Sequence, residues 1–151
     1  ANLFNARSES AAEKPSFRDA MRSGRCLLPA SGFYEWKQEA GAKQPYFIHR
    51  KDGAPMALAG LYSHWGRGEG AMLTCTILTT DANDDVRQLH DRMPVILERG
   101  DWERWLDPGE RDAHAVEDLL GPADDGLLES WPVSKAVGNA RVDGPELVAR
   151  V

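Results

Sequence analysis

The chain has 151 residues, an ordinary apolar fraction of 42% and a formal net charge of −6. That length suits one domain that buries roughly 70% of its unfolded surface without disulfide or metal staples. The acidic balance argues against indiscriminate coating of nucleic acid, although a local basic groove is compatible with it. Cys26 and Cys75 are far apart and form no CxxC pair. This gives neither a disulfide framework nor a zinc motif and points to a reducing, cytoplasmic setting. No apolar run approaches the roughly 18 residues of a membrane span, and no signal-peptide pattern is visible.

Taken in chain order, residues 10–23 predict a helix, with Pro15 in its first turn, Phe17, Ala20 and Met21 at helical spacing and Gly24 as its stop. Arg25 to Leu28 predicts a strand ended by Pro29. Phe33 to Lys37 predicts a second, placing Phe33, Glu35 and Lys37 on one face and Tyr34 and Trp36 on the other. Residues 39–44 form the loop of a hairpin. Strands follow at Pro45–Arg50 and Met56–Ser63 around an Asp52-Gly53 turn, then a glycine-rich loop at 64–70. The clearest strand is 71–80, with Leu73, Cys75 and Ile77 facing one way.

Asp81 to Leu89 reads as an acidic stretch opening on a helical turn, followed by a strand at Met93–Leu97. Asp101 is placed as the N-cap of a short helix presenting Trp102, Trp105 and Leu106. Pro108 and Gly121 bracket another helix with Val116, Leu119 and Leu120 on its apolar side. Residues 127–133 close the series as a strand. Strands outnumber helices and hairpin signals recur. The class is α+β with a curved, mainly antiparallel sheet and a few flanking helices, and nothing marks a linker.

Three segments concentrate chemistry: Asn5–Glu9, Gly32–Lys37 and His90–Pro94. Glu35 has two readings. Among aromatic neighbours its carboxylate is partly desolvated and its pKa rises toward a useful range; alternatively it faces solvent and pairs with Lys37. His90, beside a strand, can exchange protons near neutral pH, or is a surface or capping residue. Arg7, Arg92, Lys37 and Arg141 are candidate phosphate contacts. Trp36 and Trp65 are candidate base-stacking groups, with core packing as the commoner fate of tryptophan. Both cysteines read as small core residues. No two histidines have metal-ligand spacing, so no metal or other cofactor is implied. Walker, GxGxxG, GxSxG and HExxH motifs are absent.

In order, Asn5–Glu9 (N-A-R-x-E), Gly32–Lys37 (G-F-Y-E-W-K), Gln44–Ile48, Thr79–Ala82, His90–Pro94 (H-D-R-M-P) and Trp131–Asn139 resemble the SOS-response-associated peptidase (SRAP) family along nearly the whole chain. Bacterial members and the vertebrate 5-hydroxymethylcytosine-binding homologue share this pattern. The resemblance implies a barrel-like α+β core and recognition of abasic sites in single-stranded DNA, with self-processing peptidase activity. In the family, the terminal amine of an N-terminal cysteine condenses with the sugar aldehyde, losing water, and the thiol then closes a thiazolidine. A terminal amine suits this step because its pKa of ~8 leaves part of it neutral.

Carried over by motif, Asn5 orients that cysteine, Glu35 acts as general acid and base, His90 relays protons at the sugar oxygen, and Arg7 and Arg92 hold flanking phosphates. The family's Met-Cys-Gly-Arg-Phe start is not in this chain, so the match covers the later two-thirds of a family domain. The chain is therefore expected to be part of a longer protein, and neither Cys26 nor Cys75 can take the role of the terminal cysteine. Two alternatives stand beside covalent capture. One is a module that binds single-stranded DNA without chemistry; the other is a broader hydrolase, for which the chain offers no nucleophile.

Overall fold

The computed structural model describes residues 4–151. A five-stranded sheet carries the path β1 (Asn5–Arg7), β6 (Met72–Asp81), β5 (Met56–Trp65) and β2 (Arg25–Ala30), and β7 (Arg92–Pro94) also pairs with β6. A second sheet orders β3 (Phe33–Glu39), β4 (Ala42–Arg50) and β8 (Leu128–Pro132). All pairings are antiparallel except β1 with β6. The helices are short: α1 (Ser8–Ala11), α2 (Arg18–Ser23) and α3 (Trp102–Leu106), with 3₁₀ turns between and after them. The α+β class is as expected; the strands form two open sheets rather than one closed barrel.

Strand alternation divides the interior in two. Ala59 and Leu61 of β5 and Leu78 of β6 face the helices, packing with Met21, Trp105 and Val116. Met56 and Leu58, one residue out of phase, face the second sheet and pack with Ile48, Met93 and Leu128. The five-stranded sheet is thus the middle layer. The tail covers the outer face of the second sheet: the Tyr34 hydroxyl donates to the Leu147 carbonyl at 3.3 Å and the Trp131 indole to that of Val148 at 2.9 Å.

Several boundaries differ from expectation. The helix anticipated over 10–23 is two short helices interrupted around Pro15, because a proline ring clashes with the preceding turn unless it opens a helix; Phe17, Ala20 and Met21 still face the core. Pro29 does not end β2, which runs to Ala30. β2 is an edge strand, where a missing N–H costs no ladder bond. The 39–44 loop shrinks to a two-residue turn at Ala40 and Gly41, with φ of 44° and 83°, the left-handed pair that a tight hairpin requires. The strand expected at Met93–Leu97 is regular only over Arg92–Pro94. Beyond it the chain leaves β6 for β5, with Val95 N–H on the Leu78 carbonyl and Leu97 N–H on that of Ala57, both 2.9 Å.

The helix between Pro108 and Gly121 is a 3₁₀ segment at Ala113–Leu119 that still buries Val116. Asp101 makes no side-chain cap, and Leu106 is exposed while Trp105 is fully buried. Cys75 is exposed and Cys26 half-buried, so the core assignment fails for Cys75: its part of β6 lies beyond the second sheet's cover.

Candidate functional site

A cleft of about 410 Å³ opens between β3 and the free face of the middle sheet. Its lining includes four of the five residues singled out as Asn5, Arg7, Glu35 and His90, and the fifth, Arg92, as well. Three strands deliver them. β1 runs parallel to β6 with Asn5 beside Ile77 and Arg7 beside Thr79. Ala6, between them, is buried on the helical side, so Asn5 and Arg7 face the cleft. β3 contributes Glu35 on the same face as Phe33, which packs against the inner core. His90 comes from the turn between β6 and β7. Buried Asn83 starts that turn, its amide nitrogen donating to the Ala123 carbonyl at 3.0 Å and its amide oxygen accepting from Val86 N–H at 3.2 Å.

The environment of Glu35 resolves its two readings. Lys37 pairs with Glu39 at 3.4 Å rather than with Glu35. The Glu35 side chain is 24% exposed, and burial pushes its carboxyl above the ordinary range, against the opposing pull of His90. Its immediate neighbours Tyr34 and Trp36 alternate toward the other face of β3. Phe33 of the same strand face, and Ile77 and Met93 of the opposing sheet, line the cleft with it. The imidazole Nδ1 of His90 lies 4.0 Å from Glu35 Oε1 and 3.5 Å from Asp91 Oδ1. The first gap is too long for a direct hydrogen bond but short enough for one small group to touch both side chains.

The two arginines differ. Arg7 is exposed and has no hydrogen-bond or ion-pair partner among the described residues. Arg92 is already engaged: Nη1 donates to Glu9 Oε1 and Asp81 Oδ1, both at 2.7 Å, and Nη2 to Glu9 Oε2 at 2.9 Å and the Thr79 carbonyl at 2.8 Å. Only its Nε is left, buried and without a partner. Sequence reading missed Glu9, Thr79 and Asp81 as supports of Arg92. The N-A-R-x-E and T-x-x-A patterns contain the first two, and their fixed spacing was the available signal.

The other candidates lie elsewhere. His49 stacks on Phe47 and lies tilted against Trp131, His64 meets Tyr62 edge-on, and His114 pairs with Glu117 at 2.7 Å. Lys37 and Arg141 do not line the cleft. Trp36 and Trp65 are 40% and 72% exposed, so neither is a core residue. A groove of about 540 Å³ near Trp65, Met72 and Phe17 is larger than the cleft but contains no carboxylate, histidine or arginine. Among the described residues no His, Cys, Asp or Glu cluster could hold a metal, and no helix is long and apolar enough to cross a membrane.

The chain is 43% identical over 148 residues to an abasic site processing protein of Bacillus subtilis, YoqW, covering 97% of this chain and 66% of that one. It is 36% identical over 151 residues to the Escherichia coli abasic site processing protein YedK, covering 99% and 68%. The chicken abasic site processing protein HMCES is 34% identical, covering 97% and 50%. A crystal structure of a Bacteroides thetaiotaomicron protein superposes with a TM-score of 0.89 at 32% identity, covering 97% of this chain and 65% of that one. The chain thus spans about two thirds of the length of its bacterial relatives. The model of the SOS response associated peptidase family matches residues 1–140, and the chain belongs to that family.

Proposed function

We propose that the cleft receives the deoxyribose of an abasic site in single-stranded DNA. The observation that carries this reading is the convergence of Asn5, Arg7, Glu35 and His90 from two strands and a turn onto one cleft, in a chain whose relatives are abasic site processing proteins. A sugar without its base is small and polar. It needs a pocket with proton-exchanging groups rather than a stacking platform, and the cleft has that composition.

The geometry supports a sequence of proton steps. Ring opening removes the proton of the anomeric hydroxyl, breaks the bond from C1′ to the ring oxygen and returns a proton to that oxygen, leaving an aldehyde and a hydroxyl. Glu35, with its pKa raised by burial, is suited to both taking and giving the proton. His90, at 4.0 Å, is placed to support the sugar oxygen. Arg7, exposed and without a described partner, is suited to a flanking phosphate; Arg92, charge-matched by two carboxylates, would offer at most its remaining Nε. Asn5, in the lining of the cleft, is suited to orient the amine that condenses with the aldehyde. Neither cysteine is among the residues lining the cleft, so the aminothiol of the family's capture reaction is not supplied by Cys26 or Cys75.

The test compares two labelled single-stranded oligonucleotides, one carrying a single abasic site and the other undamaged. Tighter binding of the abasic strand, reduced by His90→Ala, is the expected outcome. Equal binding of both strands would end this reading. Arg7→Ala should weaken both strands alike and lower the salt slope by about one.

A further inference from the structure

We propose that Glu9 is a positioning residue for the cleft, acting on His90 through Arg92. The proposal rests on the abasic-site reading only for its functional readout. Arg92 is a bracket between three elements. Its guanidinium is held by Glu9 at the start of α1 through two hydrogen bonds, and by Thr79 and Asp81 at the end of β6. Its main chain holds His90, since the Arg92 N–H donates to His90 Nδ1 at 3.0 Å. The same nitrogen lies 3.2 Å from the Arg92 carbonyl, so both main-chain polar groups of Arg92 hold this edge of the ring, and the tautomer follows whichever of the two Nδ1 engages. The orientation of His90 therefore depends on where the Arg92 backbone sits, and five side-chain bonds from the guanidinium reinforce the β6–β7 pairing that holds it there.

Glu9 is the carboxylate that matters most in this bracket. The Arg92 side chain is only 13% exposed, so its charge needs a fixed counter-ion. Asp81 is 84% exposed and makes one bond, whereas Glu9 is 50% exposed and grips both terminal nitrogens. Arg92 holds the Glu9 carboxyl below its usual range, which agrees with a maintained ion pair. Glu9 also follows Asn5 and Arg7 by only a few residues. The same ion pair therefore fixes the β1 side of the cleft against the His90 side.

Two readouts separate positioning from simple loss of fold: the ¹⁵N signals of the His90 ring, and binding of the abasic and undamaged oligonucleotides. With Glu9→Gln, the ¹⁵N signals of the His90 ring should shift as its contacts with the Arg92 main chain loosen. Preference for the abasic strand should fall about tenfold, while the undamaged strand binds no more weakly. In an Arg92→Met background, which lacks the buried charge, Glu9→Gln should have no further effect; this cycle also serves if the single variant folds poorly. An unchanged His90 signal in Glu9→Gln, or an equal Glu9→Gln effect with and without Arg92, would overturn the proposal. If the parent protein shows no preference for abasic DNA, the functional reading falls, and the His90 signal still decides the role of Glu9.

Discussion

The two faces of the five-stranded sheet carry the same alternation but different chemistry. On the helical face Ala59, Leu61 and Leu78 pack against Met21 and Trp105 with almost no exposure. The Arg25 guanidinium at its margin is satisfied by carbonyl oxygens alone, those of Met21, Trp105, Asp107 and Glu110, at 2.7 to 2.8 Å. On the cleft face the neighbouring positions are Asn5, Arg7, Ile77 and Thr79, opposite Glu35 and His90. There Arg92 is held by two carboxylates, and a third carboxyl, that of Glu35, is kept partly desolvated. A saturated face fixes the fold, while an incompletely satisfied face retains the capacity to react. A shift of one residue in β1 or β6 would exchange the two sets.

Substitutions on the two faces should separate accordingly. Trp105→Ala, which empties the largest fully buried side chain and removes the indole hydrogen bond to the Cys26 carbonyl at 2.8 Å, should cost about 4 kcal/mol in denaturant unfolding. Arg25→Met should cost about 2–3 kcal/mol, because several carbonyls lose their donor together. Glu35→Gln has the opposite sign. A carboxyl whose pKa is raised by folding favours the folded state at low pH, and that contribution is lost as pH rises from its unfolded to its folded value. At neutral pH the amide should therefore raise Tm by about 2 °C, and the gain should vanish below pH ~4. A Glu35→Gln variant less stable at pH 7 would contradict the desolvated setting. Smallest of all, Trp65→Ser, at a side chain 72% exposed, should change stability by no more than about 0.5 kcal/mol.

Much of this division was legible in the sequence. The phase of Phe33, Glu35 and Lys37 against Tyr34 and Trp36 follows from strand geometry alone, and the structure keeps it. The motif order brought Asn5, Arg7, Glu35, His90 and Arg92 together before any coordinates, and they do line one cleft. What the sequence did not reveal are properties of apposition. Glu35 shares its cleft with Ile77 and Met93, over forty residues away in the chain. Arg92 looks like any phosphate-binding arginine until Glu9 and Asp81 are seen on it. Cys75 sits in an apolar alternation yet is exposed, since alternation assigns a face but not whether anything covers it.

The most direct test of the central claim is chemical-shift mapping of this chain with a single-stranded oligonucleotide carrying one abasic site. The account predicts shifts concentrated on Asn5, Arg7, Glu35, Ile77 and His90, and absent from Phe17, Trp65 and Met72 in the larger groove on the helical face. Shifts confined to that groove, or the same pattern with an undamaged strand, would contradict it.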